Sequence, residues 1–514
     1  MSLAEVEGRE RRAQARGLHR ALEGLRADMA RRAETTLEAW DGKILRPEFM
    51  PSARNLADYL ALRRGDLVPF QAPLSSLGLS SLGRSEAHVR PSLDAVLASL
   101  ALIGGEGAAD YPPVEIFAAG PARLAARRDA LFGARRGNPN TRIMVTLPSE
   151  AAEDAALVAT LIASGADCMR INCAHDGPDA WSAMIGHVRR AAAAAGRRVP
   201  VQMDLPGPKL RVETVAPGKG EKGAKKERLE AGETGRLFEG DRFEVVETLA
   251  AKPDLAQITL SHPALMAAME VGGALWINDG KIRAKILEVS AGRVLAEITG
   301  TPGKGAKIKA EKGVNLPGVD LRVPALTEED LGHLDFVLAH ADIIGFSFVQ
   351  TGADLRALFA ALAARAEPAG EHTGPSLMLK IETPLALRNL PALIVEAGGR
   401  MPVGVMIARG DLAVEIGFER LSEIQEEILW LCEAAEVPVV WATQVLESMV
   451  KDGQASRAEM TDAAMSQRAE CVMLNKGPHL DDAVLFLRDV LVRMDRHTNK
   501  KSPRLGALGL WHDL

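Results

Sequence analysis

Several short apolar runs in this chain end in residues that could bind or move charge. One run ends in Arg170, Asn172 and His175, and another in Asp204, Lys209 and Arg211. Ser347 closes a third, Lys380 and Glu382 a fourth, Arg409 and Asp411 a fifth, and Thr443 and Gln444 a sixth. Neutral turn residues would have served equally well as run endings. Arginine and lysine neutralise phosphoryl oxygens, and a pair of carboxylates suits Mg²⁺, which takes oxygen ligands and keeps several waters. Arg170, Arg211 and Lys380 therefore read as phosphate-binding cations, and Glu382 and Asp411 as ligands of a hard divalent ion. A ring of structural salt bridges is the plainer alternative. It accounts for any one of these residues better than for the set.

The elements that must carry these residues are eight apolar runs: Ile143–Leu147, Cys168–Cys173, Val199–Leu205, Ile343–Val349, Leu377–Ile381, Val403–Ile407, Val439–Trp441 and Cys471–Leu474. Amphipathic stretches of helix length lie between most of them, among them Glu150–Ile162, Leu421–Ala434 and Asp481–Met494. Parallel strands need a covering crossover each time, so eight such units predict an α/β fold of the (β/α)8, TIM-type barrel kind. In such barrels the chemistry sits at the C-terminal ends of the strands, where the charged residues fall.

One gap breaks the rhythm. Between the third and fourth runs lie the strand-like segments Arg236–Val246, Leu275–Val289 and Arg293–Ile298, with tight turns at Asp279-Gly280 and Ala291-Gly292. These predict a small inserted β domain over 213–320. The lysine- and glycine-rich tract Gly218–Lys226 reads as a flexible loop within it. Before the first run, Leu18, Leu22 and Leu25, and Leu93, Val96, Leu97, Leu100 and Leu102, lie at helical spacing. Residues 55–86 read as two or three short helices broken by glycine. The expected division is a helical region 1–138, barrel segments 139–212 and 321–496 around the insert, and a tail 497–514.

Bulk properties narrow the partners. A net charge of −6 over 514 residues gives no reason to expect nucleic acid as the main partner. Cys168, Cys173, Cys432 and Cys471 form no CxxC pair and lie in or near apolar runs, as buried thiols of a reducing cytoplasm do. The start of the chain is charged from Glu5 to Arg12, unlike a secretory signal, and its acidic residues are unlike a transit peptide. The most apolar stretch, Leu93 to Ile103, is too short to span a bilayer. The expected setting is cytoplasmic, away from membranes.

A more specific signal lies in longer motifs. The series MRINCAHDG (169–177), MDLPGPKLR (203–211), EKGVNLPG (311–318), PALTEED (324–330), GFSFVQ (345–350), LKIET (379–383), MIARGDLAVEI (406–416), ATQVLESM (442–449) and SRAEMTDAA (456–464) resembles the motif series of pyruvate kinase, in family order. The resemblance covers residues 139 to about 495. It implies a Mg²⁺-dependent phosphotransferase, with Mn²⁺ able to substitute, acting on phosphoenolpyruvate and ADP to give pyruvate and ATP, and a homo-oligomer. By position it implies that Glu382 and Asp411 ligate the metal and that Lys380 stabilises the phosphoryl group and developing enolate. Arg170 would contact the transferring phosphoryl. Ala408, Arg409, Gly410 and Thr443 would frame the substrate carboxylate, chiefly through backbone amides at a helix start, with Ser347 and Arg211 beside the substrate. Asn172, His175 and Lys312 would lie near the nucleotide phosphates. Lys312 belongs to the insert, which in the family closes over the site as a lid.

Four departures from the family pattern stand out. The family's effector-binding C-terminal domain has no counterpart here, since some twenty residues, including Trp511, follow the last barrel helix. The helical N-terminal region is extra. The loop after the eighth run reads Asn475-Lys476-Gly477-Pro478, where the family usually has Ser-Gly-Glu-Thr, a loop associated with enolate protonation. Ala174 and Leu205 replace two hydroxyl residues that help hold a monovalent cation, while Lys209 replaces a glutamate. The lysine's tethered charge could stand in for the ion, so K⁺ is not expected to be required. Two other readings compete. A Mg²⁺-dependent pyruvate aldolase also needs a metal-bound enolate but has no nucleotide for an insert to cover. A non-catalytic regulatory protein would account for the altered 475–478 loop but not for the retained metal and phosphate residues.

Overall fold

The computed structural model describes residues 3–107, 109–134, 139–219, 232–319, 323–365, 374–500 and 502–504. Residues 220–226 of the lysine- and glycine-rich tract, and Trp511, lie outside them. Eight parallel strands close into a barrel. They are β1 (Arg142–Thr146), β2 (Cys168–Asn172), β3 (Val201–Leu205), β4 (Ile343–Phe346), β5 (Ser376–Ile381), β6 (Val403–Ala408), β7 (Val439–Ala442) and β8 (Cys471–Leu474). Each predicted apolar run supplies one strand. Closure comes from β1 pairing with β8, Arg142 opposite Cys471, which leaves the barrel no free edge. The register aligns Asn172 with Asp204 and Asp204 with Gly345, so residues far apart in the chain share one level of the barrel.

The covering helices follow from local signals. Thr327 and Thr351 form capping boxes with Asp330 and Asp354 three residues on. The helix expected over Glu150–Ile162 begins later, at Ala155, because Asp154 takes the cap position and accepts from Leu157 N. A seven-stranded sheet departs from the barrel between β3 and β4 and includes the hairpin Ala274–Ile277 and Ile282–Ser290. Its turn needs left-handed backbone, and Asn278, Asp279 and Gly280 supply φ of 58°, 55° and 77°. Strand Ala256–Leu260 alternates apolar and polar residues although all five are buried, and the segmental pattern missed it.

The N-terminal region is helical: Leu3–Ala39, Met50–Leu62, Val68–Ser76, Val89–Gly104 and Glu115–Phe132. Leu22, Leu93, Val96, Leu97 and Leu100 are buried, but Leu102 is exposed because helical rotation turns it off the packed face. Its last helix reaches under the barrel. Leu131 and Phe132 join Met144, Cys168, Ile343, Met378, Met406, Val440 and Cys471 in one apolar cluster separate from the outer core. The bend that follows is held by Arg142, whose buried guanidinium donates to Gly133 O at 3.0 Å and to Asp129 Oδ1 at 2.7 Å. Higher up the same helix, Arg123 forks onto the fully buried Glu436 at 2.6 Å on both oxygens, and Ser52 Oγ donates to Glu436 at 2.6 Å. Helix Glu115–Phe132 thus floors the barrel. Phe132→Ala is expected to cost about 3–5 kcal/mol, as for other buried phenylalanines, and to lower the melting temperature by several degrees. An unchanged melting temperature would show the floor to be dispensable. Among the described residues no helix is long and apolar enough to cross a membrane.

Candidate active site

At the C-terminal rim the charged residues converge as the run endings suggested. Their hub is Asp204, fully buried at the top of β3. Its carboxylate accepts from Arg170 Nε at 2.9 Å and from Gln202 Nε2 at 2.6 Å, and Lys380 Nζ lies 3.3 Å away. Burial alone would raise Asp204; Arg170 and Lys380 overcome it and hold the carboxyl down at about 2. Arg170 also donates to Thr146 Oγ1 at 3.0 Å. Lys380 donates to Ser347 Oγ at 2.6 Å and lies 3.2 Å from Glu382 Oε1. Burial opposes its charge, yet Glu382 and Asp204 keep its ammonium above the ordinary lysine range.

Glu382 and Asp411 form the acidic part. Glu382 Oε2 accepts from Phe348 N at 2.6 Å, and Phe348 takes φ of 55° to present that amide. Burial pushes Glu382 up; Lys380 opposes this, and the Asp411 charge adds to it. Asp411 Oδ1 accepts from Lys209 Nζ at 2.7 Å. Lys209, which follows the Pro206-Gly207-Pro208 turn, is thus drawn to Asp411, with Asp279 and Glu382 adding to its field. Two neighbouring carboxylates that repel each other are a donor set a divalent cation would relieve. No group of three His, Cys, Asp or Glu side chains gathers among the described residues, so substrate and water oxygens would complete the shell.

Helix Arg409–Ile416 begins at the top of β6, with Ala408 as the flanking residue, and the first-turn amides of any helix are free to meet an anion. Gly410 N donates to Thr443 Oγ1 at 2.7 Å. The loop beyond β7 is strained, with Thr443, Gln444 and Leu446 at φ of 62°, 57° and 48°. Arg409 contributes backbone only, because its side chain turns outward to Asp462.

Beside Arg170 opens a cavity of about 400 Å³ lined by Asn172, His175, Gln444, Asn475 and Lys476 among others. Burial lowers the His175 pKa first, and Lys476, Arg211 and Arg170 lower it further, against an opposing pull from Asp176. Arg211 lies at the edge of the barrel segment, donating to Glu311 O at 3.0 Å. Lys312 is exposed beside it and does not line the cavity. The site thus unites Arg170, Asp204, Ser347, Lys380, Glu382, Asp411 and Lys209, with the Gly410–Thr443 pair bordering it. Sequence reasoning gave Asp204 too small a part and left out Asp462. Lys476 was legible only as a departure in a loop. One signal for Asp204 was available in Gly345, where a Cβ would overlap its carboxylate.

Comparison with known proteins agrees with this geometry. A family model described as "Pyruvate kinase, barrel domain" matches residues 138–478. A pyruvate kinase of Methylorubrum extorquens is 34% identical over 338 residues, which are 65% of this chain; the chain spans only 63% of that relative's length. A pyruvate kinase of Agrobacterium vitis is 32% identical over 371 residues, 70% of this chain and 71% of its own. A crystal structure of a pyruvate kinase from Cryptosporidium parvum aligns with a TM-score of 0.59 at 26% identity, covering 71% of this chain and 72% of that one. The motif order, the closed barrel with its inserted sheet and these matches agree, and the chain belongs to the pyruvate kinase family.

Proposed function

We infer that this protein transfers the phosphoryl group of phosphoenolpyruvate to ADP, forming pyruvate and ATP. The observation that carries the reading is the sharing of Asp204 by Arg170 and Lys380, which sets a cation of the phosphate cavity beside the Lys380–Glu382 pair. Arg170 meets the phosphoryl group from the cavity side, and Lys380 meets it and the enolate oxygen from the other. Glu382 and Asp411 would hold Mg²⁺ or Mn²⁺, which would supply positive charge against that of the transferring group. The Gly410 amide and Thr443 hydroxyl cradle the substrate carboxylate, with Ser347 holding the Lys380 ammonium. Asn172 and His175 border the nucleotide phosphates, joined by Lys476; Lys312 approaches from the inserted domain, residues 213–320, when it closes as a lid, beside Arg211 at the edge of the barrel segment. Transfer breaks the bond from phosphorus to the enol oxygen and forms one to a β-phosphate oxygen of ADP; the enolate then takes a proton at carbon.

The test is an assay of purified protein with phosphoenolpyruvate, ADP and Mg²⁺, with ATP and pyruvate measured separately and Asp411→Ala run beside it. Equal amounts of both products, lost in the variant, are expected. Pyruvate without ATP, or no turnover, would overturn the reading.

The Lys209 ammonium gives the site a fixed positive charge where a monovalent cation would otherwise contribute. A tethered charge has no binding equilibrium, so activity in potassium-free buffer should match that in potassium chloride. Lys209→Glu would set a third carboxylate against Asp411 and Glu382, and the rate should fall at least about tenfold, the equivalent of roughly 1.4 kcal/mol. Strong activation of the unaltered protein by K⁺ would refute this role, as would unchanged kinetics of the variant.

A further inference from the structure

Asp462 lies off the barrel strands, on helix Arg457–Ser466, and nothing above gives it a task. It receives the Arg409 guanidinium as a two-point fork, 2.5 Å to Oδ1 and 2.9 Å to Oδ2. The same guanidinium donates to Ala442 O at 3.0 Å and to Thr443 O at 2.5 Å, and its centre lies 4.8 Å from the ring of the buried Trp441. Four of the five N–H groups an arginine carries are thereby engaged. The Arg409 side chain is therefore not a ligand of substrate. It is a clamp on two consecutive carbonyls.

What the clamp holds is costly to hold. A β-branched residue at φ of 62° is a steric outlier, and Thr443 is followed by Gln444 at 57° and, two residues later, Leu446 at 48°. In that conformation Thr443 Oγ1 accepts from Gly410 N at 2.7 Å, at the start of a helix, where the dipole favours an anion. A bidentate arginine–carboxylate pair supplies directional restraint as well as energy, which a lone backbone bond does not.

We propose that Asp462 is a positioning residue: by orienting Arg409 it holds the strained 442–446 turn, and so sets the Thr443 hydroxyl and Gly410 amide as the cradle for the carboxylate end of a phosphorylated α-enol acid. The assignment of that ligand rests on the function inferred above.

The test compares Asp462→Asn, Asp462→Glu and Glu426→Gln with the unaltered full chain. Glu426 pairs with Arg468 in a similarly half-buried setting, so its variant reports the loss of an ion pair alone. In Asp462→Asn the KM for phosphoenolpyruvate should rise at least about tenfold while the KM for ADP stays within about twofold. Deuterium uptake should quicken in 409–416 and 442–446 and not elsewhere. Asp462→Glu, which keeps the charge, should recover part of both effects, and it carries the test with the same KM split if the asparagine variant does not fold. Glu426→Gln should leave both KM values unchanged. An unchanged KM for phosphoenolpyruvate, an equal rise for both substrates, or the same shift in Glu426→Gln would overturn the proposal. If the unaltered protein neither binds nor turns over phosphoenolpyruvate, the inferred function fails on its own. Exchange then decides the clamp, and unaltered uptake in 442–446 would refute it.

Discussion

Glu382→Gln and Asp411→Asn are expected to lower turnover by on the order of 10³-fold or more while leaving the barrel folded, because each removes a charge that the transferring phosphoryl group requires to be balanced. Both substitutions are nearly isosteric, so packing changes little. What changes is charge. The rim cluster holds Lys380, Lys209 and Arg170 against Glu382, Asp411 and Asp204. Deleting one carboxylate leaves the cations in excess, and the affinity of that corner for a divalent ion falls. Lys209 would lose its 2.7 Å partner in Asp411→Asn and be free to swing away. Raising Mg²⁺ should recover little, because a neutral amide oxygen is a poor ligand for a hard cation. Circular dichroism and melting temperature near those of the unaltered protein, together with the lost rate, are the expected pair of results. Near-normal turnover of either variant at saturating Mg²⁺ would refute the assignment of these two ligands.

Gly345→Ala should be nearly as damaging although glycine does no chemistry. The added Cβ would overlap the Asp204 carboxylate, to which Gly345 is paired across β3 and β4. Both sit on the buried barrel wall, so neither backbone can retreat without breaking ladder hydrogen bonds. Asp204 must therefore rotate away from Arg170 and Lys380, which lose their shared partner. Each cation is nearly buried, and an unpaired buried charge costs several kcal/mol, so the cluster should rearrange rather than persist. The expected outcome is a fall of about 10²-fold or more in kcat/KM with a modest loss of stability. Gly332→Ala is the control. A Cβ at that helical glycine would meet nothing within 4 Å, and alanine should be neutral or stabilising there by roughly 1 kcal/mol. Equal activity of the two variants would show that the Asp204 position is not critical.

These two experiments probe different kinds of knowledge. The proposed metal ligands Glu382 and Asp411 stood out before any coordinates, because short apolar runs ending in charge are a local signal, and eight of them allow few folds. The buried free thiols followed in the same way from their apolar neighbours. Local patterns also placed the turns at Asp279-Gly280 and Gly292, where the backbone needs φ that few residues accept.

Partnership was not legible, because it depends on closure and register. Arg409 and Asp462 are 53 residues apart, and Lys209 and Asp411 are 202 apart. No spacing rule relates them. Arg170 lies within β2 and Arg409 just beyond the end of β6, and one guanidinium turns inward onto Asp204 while the other turns onto a covering helix. The difference is which side of the strand level each occupies once the barrel has closed. The helix Glu115–Phe132 shows the same limit. No periodicity singled it out, and only the closed barrel presents the open apolar floor that Leu131 and Phe132 fill. Sequence alone determined which elements form and which residues stand at their ends, since both follow from short-range periodicity and steric preference. The tertiary structure decided which charges meet, since Coulomb attraction and desolvation act on distances set by the whole closed fold.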